Sequence, residues 1–140
     1  MSTEENKALV RRYITALNKP NWMDLIEEFL PPDTIGPFIV QHQPFRAAFP
    51  DYHFAIQEII NEGEKLVVLG TVHATHEGDF PYGEFKYIPP SGKRLSWQEI
   101  WVGSIKDSKL GEGYILIDVE SRMVQLGLVM VLEKELDRGT

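Results

Sequence analysis

No cysteine occurs in the chain. That absence excludes disulfides, thiolate nucleophiles and cysteine-ligated zinc or iron–sulfur centres, so any chemistry must come from His, carboxylates, Tyr and Trp. No apolar run approaches the roughly 18 residues that a membrane span requires, and the opening Ser2-Thr3-Glu4-Glu5 has nothing of a secretion signal. The expectation is a cytoplasmic protein with no membrane partner. Positive charge is scarce too: 14 basic residues face 21 acidic ones, for a net charge of −7, and Lys and Arg cluster on no segment. Such a surface repels a phosphate backbone, which argues against nucleic acid. Repeats, low-complexity stretches and blocks of like charge are missing as well. With 43% hydrophobic and 25% charged residues over 140 positions, the chain reads as one globular domain, 1–140, able to bury roughly two-thirds of its unfolded surface.

What is present follows a clear order. Ser2 and Glu5 form a capping-box pattern, and Leu9, Val10, Tyr13, Ile14 and Leu17 recur at helical spacing until Lys19-Pro20. Asn21 can cap a second helix with Trp22, Leu25, Ile26 and Phe29 on its apolar face, ended by Pro31-Pro32. Phe38, Phe45 and Phe49 suggest a third helix opened by Pro37 and kinked or split at Pro44.

After Pro50-Asp51 the period changes. Phe54, Ile56, Glu58 and Ile60 alternate, Asn61-Glu62-Gly63-Glu64 turns the chain, and Leu66 to His76 is β-rich, so the two runs form a hairpin. Gly78 to Gly92 is rich in Pro and Gly and long enough to cover a pocket mouth as a lid. Arg94 to Ile105 and Leu110 to Ile117 make a second hairpin around Lys106-Asp107-Ser108-Lys109, and Asp118 can cap a short helix through Met123 and Leu126 to Gly127. Helices first and strands afterwards mean an α+β fold. The tail 129–140 has no assigned structure.

Residues two apart in a strand share a face, so Leu95, Trp97, Glu99, Trp101 and Ile105 line up together. A carboxylate is thereby bracketed by two indoles. Facing inward, Glu99 is an acid/base candidate, because desolvation is how a carboxyl is tuned to exchange protons near neutral pH; facing outward, the same row is a solvated surface or dimer contact. His73 and His76, three apart, point to opposite faces and make a poor metal pair. Either could assist as a base or hydrogen-bond a ligand, His76 the better placed because it adjoins the lid. His42 and His53 read as surface residues. Tyr13 and Tyr114 could offer phenolic donors to a ligand or simply pack, and Asp118 is explained by its cap rather than by catalysis.

This order, with the strings Glu5-Asn6-Lys7-Ala8-Leu9-Val10-Arg11-Arg12, Ala48-Phe49-Pro50-Asp51, Thr75-His76-Glu77-Gly78-Asp79-Phe80, Pro89-Pro90-Ser91-Gly92-Lys93-Arg94, Asp118 and Gln125-Leu126-Gly127, resembles the SnoaL-like polyketide cyclase family of the NTF2-like superfamily. The resemblance covers nearly the whole chain. It implies a cone in which a strongly curved antiparallel sheet holds N-terminal helices in its mouth, an internal apolar pocket for a small hydrophobic molecule, and frequently a homodimer through the outer sheet surface. It further implies intramolecular aldol chemistry by acid/base side chains with no metal or organic cofactor. Where many relatives read Glu-His-Trp-Asp, this chain reads Glu112-Gly113-Tyr114-Ile115, and Trp101 stands where relatives point a polar side chain inward. By that alignment Trp97 and Glu99 also point inward. The expected site is therefore Glu99 with His76 and His73 as catalytic groups and Tyr13, Trp97, Trp101, Tyr114 and Ile115 lining the pocket. The function expected is a cyclase, isomerase or hydrolase, and the alternatives are a non-catalytic ligand-binding domain or a dimerisation module.

Overall fold

The computed structural model describes residues 2–81 and 86–128. Ser2 opens the first helix as its sequence demands: its hydroxyl accepts from the Glu5 amide at 3.1 Å, and α1 (Thr3–Leu17) buries Leu9, Val10, Tyr13, Ile14 and Leu17. Asn18 ends it and ties it to the sheet. Its side chain donates to the Phe54 carbonyl at 3.0 Å and accepts from the Phe54 amide at 2.8 Å, so one amide serves both backbone groups. The second helix is shorter than its apolar spacing suggests. A single turn, α2 (Trp22–Leu25), passes into a 3₁₀ turn over Ile26–Glu28, and Asn21 makes no side-chain cap.

Pro31-Pro32 does not merely end that segment; Pro32 is the first residue of α3 (Pro32–Ala48). Pro fits there because its fixed φ suits a first turn and its missing N–H is not needed. The expectation of a helix starting at Pro37 and broken at Pro44 is corrected, since both prolines lie inside one continuous helix. Each removes a backbone hydrogen bond. Packing of Ile35, Phe38, Ile39 and Phe45 against the core outweighs that loss, as tertiary contacts commonly do for helices.

Among the described residues the strands that follow are β1 (His53–Glu62), β2 (Lys65–Thr75), β3 (Phe80–Pro81), β4 (Tyr87–Ile88), β5 (Arg94–Lys106) and β6 (Lys109–Ile117). The order β1-β2-β5-β6 is antiparallel throughout, while β3 and β4 pair separately. The segment Gly78 to Gly92, read as one uninterrupted loop, thus has paired ends. Its middle, 82–85, and the tail 129–140 lie outside the described residues. Along β2 burial alternates strictly, with Leu66, Val68, Gly70, Val72 and Ala74 inward. Register shifts at Ile56/Glu58 and Val102/Ser104 add bulges, which bend a sheet and increase its twist. Gly113 belongs to the second bulge: a Cβ there would overlap the Val102 carbonyl.

The helices lie on the inner face. Leu110 N donates to the Phe29 carbonyl at 2.8 Å, and Lys109 Nζ reaches the Glu27 and Glu28 carbonyls, at 3.3 and 2.6 Å, joining the β5–β6 turn to the 3₁₀ turn. At the other end α4 (Val119–Gln125) is capped by Asp118, whose carboxylate accepts from Ser121 N at 3.0 Å. Gln125 then locks α4 to β5, accepting from Ser96 N at 2.9 Å and donating to Ser96 O at 2.7 Å. Between these layers Trp22, Ile26, Phe49, Phe54, Val72, Leu95 and Trp97 form the core. Each such side chain contributes about 1.5–3 kcal/mol on full burial. No described helix is long and apolar enough to cross a membrane.

Candidate active site

Register decides which way Glu99 points. It pairs with Gly70 on β2, between Trp97 opposite Val72 and Trp101 opposite Val68, and directly paired residues share a face. That face is the buried one, and Glu99 is 5% exposed. Gly70 makes room for this arrangement, because a Cβ in its place would overlap the Phe54 ring. Phe54 crosses the sheet there with its ring centroid 4.5 Å from that of Trp101. The two indoles answer Glu99 symmetrically: Trp97 Nε1 donates to Oε1 at 3.1 Å and Trp101 Nε1 to Oε2 at 2.9 Å. Each oxygen keeps a further lone pair for another donor.

Polar groups from several elements surround this carboxyl. Tyr13 on α1 is buried with its ring 6.3 Å from Trp101, and burial pushes its phenol far above the usual range. Tyr52, just before β1, is raised likewise, first by burial and then by the charge of Glu99. Both therefore keep their protons and can donate. His42 on α3 stacks on Phe38 at 3.9 Å between centroids, and its Nδ1 lies 2.8 Å from the Phe38 carbonyl. A carbonyl can only accept, so Nδ1 carries the proton and Nε2 keeps an open lone pair. Burial, aided by the Arg46 charge, lowers the His42 pKa, while the Phe38 carbonyl and Glu99 act to raise it. Arg122 on α4 is 8% exposed, its guanidinium carbon lying 4.9 Å from the Phe80 ring centre, 5.1 Å from Trp97 and 5.8 Å from Phe45. Burial lowers its pKa and the charge of Glu99 raises it.

The expected residues are only partly brought together. Tyr13, Trp97, Glu99 and Trp101 share the interior, and Ile115, paired with Trp101, shares its face while remaining 46% exposed. His73 does not join them: it alternates with buried Val72 and Ala74 and so lies on the outer face of β2. Tyr114 pairs with Val102 on that outer face and is 63% exposed, so its expected place in the pocket is corrected. His76 is fully buried against Phe49, with a centroid distance of 5.5 Å, and its Nδ1 accepts from Ser91 N at 3.2 Å, with Ser91 Oγ at 2.9 Å. Sequence reasoning missed Tyr52, Arg122 and His42. The last had a signal: positions 38, 42, 45 and 49 follow the 4-3-4 spacing of one helical stripe, and His42 is the polar member of that stripe. A depression of about 340 Å³ lies elsewhere, bordered by Arg11, Arg12, Thr15 and Lys19 of the α1 region, and takes in none of these polar groups.

Comparison with known proteins agrees with this architecture. The sequence profile of the SnoaL-like polyketide cyclase family matches residues 7–126. AclR of Streptomyces galilaeus, a candidate hydroxylase, superimposes with a TM-score of 0.80 at 25% identity, over 99% of this chain and 95% of that one. A candidate SnoaL-like polyketide cyclase from Jannaschia sp. CCS1 gives 0.78 at 18% identity, over 93% and 98%, and TsrD of Streptomyces laurentii 0.72 at 21%, over 92% and 99%. No curated protein matches the sequence.

Proposed function

The chain belongs to the SnoaL-like polyketide cyclase family, and on that premise we propose that it is a cofactor-independent acid/base catalyst, a cyclase, isomerase or hydrolase, acting on a small hydrophobic polyketide-like molecule between the sheet and the helices. The observation that carries this reading is Glu99, a buried carboxyl fixed by two indole N–H groups. A group so placed can take a proton from an activated carbon beside a carbonyl and return it elsewhere, a step that general acid/base catalysis accelerates about 10²–10⁴-fold. His42, with Nε2 open, is the second proton acceptor in reach of the same charge. The protonated phenols of Tyr13 and Tyr52 supply donors for an enolate oxygen, whose charge a dry site stabilises more strongly than water does. His76, held by Ser91, and His73, on the outer face, have no part in proton transfer in this reading.

Exchange of the α-protons of 2-tetralone in D2O, followed by ¹H NMR, tests proton abstraction without knowledge of the natural substrate. The native protein should accelerate exchange and Glu99→Gln should remove at least about 99% of that acceleration, the low end of the range for a catalytic acid or base. Acceleration surviving in Glu99→Gln would assign the chemistry elsewhere. Saturable binding of 2-tetralone without exchange would favour the non-catalytic binding domain, which Gly113 and Ile115 support by standing where many relatives carry His and Asp. A homodimer is part of the same proposal: Ile100, Tyr114 and Leu116 are exposed together on the outer sheet face.

A further inference from the structure

Arg122 is a buried cation with no anionic partner among the described residues. Its Nε is sealed from solvent without a hydrogen-bond partner, and among the described residues no carboxylate pairs with the guanidinium, which is met only by the faces of Phe45, Phe80 and Trp97. Aromatic faces offset some of the lost hydration, but they accept no hydrogen bond as a carboxylate does, and an unanswered buried donor is costly. Its position is not accidental. Asp118 caps the first turn of α4 and Gln125 bolts the last turn to Ser96, so the residue between them is driven inward over Trp97.

A second unanswered donor borders the same phenyl ring. Ser91 N–H donates to His76 Nδ1, which places the proton of the neutral imidazole on Nε2, and that nitrogen is buried with no partner. The His76 ring lies 6.4 Å from Phe80 between centroids, and the Arg122 guanidinium carbon lies 4.9 Å from the Phe80 ring centre. A charged donor and a neutral donor, both buried and both unsatisfied, flank one aromatic patch that continues through Trp97 to Glu99.

We propose that Arg122, with His76 Nε2–H as second donor, forms a carboxylate-binding subsite beside the Glu99 site, so that the ligand is a flat hydrophobic molecule carrying a carboxylate at one end. The proposal rests on the interior ligand site argued above. The aromatic patch takes the planar body, the guanidinium takes the carboxylate oxygens in its fork, and the reacting carbon is presented to Glu99 at a distance set by the length of Trp97.

Isothermal titration calorimetry with 2-naphthoate and 2-naphthamide, equal in shape and different in charge, tests it. The native protein should bind the naphthoate about tenfold or more tightly, as expected for a charge-assisted pair in place of a neutral one. Arg122→Gln should abolish that preference while leaving the naphthamide affinity within about threefold, which also shows that the variant is folded; Arg122→Lys should keep part of it. Equal binding of both probes by the native protein overturns the carboxylate subsite and leaves the apolar site standing. A naphthoate preference that survives in Arg122→Gln overturns the role of Arg122. Failure of both probes to bind overturns the interior site and this inference together.

Discussion

Glu99 and Arg122 bury opposite charges against one indole without pairing: Trp97 gives its N–H to the carboxyl and its face to the guanidinium. A direct ion pair would satisfy both groups and leave neither for a ligand. Held apart, each remains available to a bound molecule, and the cost of two separated buried charges is carried by the rest of the core.

The imidazole of His42 should titrate below its ordinary 6.5, chiefly because of burial. Between the two midpoints the unfolded chain binds a proton that the folded ring refuses, so stability is lost as pH falls from about 6.5. Because the Glu99 charge raises this pKa, Glu99→Gln should lower it further. Imidazole NMR titration of both proteins checks this, and an unchanged midpoint would mean that the two groups do not share a site.

Asp51 adds a loss of the same sign at lower pH. Partial burial disfavours its charge, but the Thr75 amide and hydroxyl, each 2.6 Å from a carboxylate oxygen, outweigh that with help from Arg94, and the pKa lies below 3.8. The resulting stability is present above the unfolded value and disappears as pH drops through the folded one. Thermal melts between about pH 6 and pH 2 should show a steeper acid loss for the native protein than for Asp51→Asn. Parallel curves would leave the Asp51–Thr75 contact without a stabilising role.

Gly113→Ala and Gly70→Ala should part company. The first drives a methyl group into the Val102 carbonyl, which the bulge holds in place, and should cost about 1–3 kcal/mol or more in urea denaturation. The second meets the Phe54 ring as well as the Ala55 carbonyl. The carbonyl is backbone and the Phe54 ring is buried, so this change should cost stability as well, and the displaced ring, 4.5 Å from that of Trp101, should shift the indole's fluorescence as Gly113→Ala does not.

Leu116→Glu places a charge on the exposed outer face beside Ile100, its register partner. Sedimentation velocity should show the native protein as a dimer and the variant as a monomer with unchanged tryptophan emission. A native protein that sediments as a monomer at all concentrations removes the dimer proposal.

The family strings mark joints of the fold rather than its chemistry, which explains what was legible. Asp51 holds Thr75, Glu77 and Gly78 amides donate to the Ala48 carbonyl, Ser91 holds His76, and Gln125 pairs with Ser96. Strands and turns followed from alternation, and Glu99 from its spacing between two tryptophans. Tyr52, His42 and Arg122 fall outside every such string. Arg122 stands on a short helix with no motif beside it, and the anchoring of that helix to β5 through Gln125 and Ser96 turns it inward over Trp97. His42 was obscured because Pro37 and Pro44 argued for a broken segment, where helical spacing carries no meaning. The continuous helix restored that meaning.

The two side-chain amides that imitate a neighbouring strand also bear on how the protein behaves in a crowded solution. Asn18 occupies the outward N–H and C=O of Phe54 on edge strand β1, and Gln125 does the same for Ser96, where β5 runs past its pairing with β6. A foreign strand needs those groups to dock. With them occupied, addition of a foreign strand is hindered at both places.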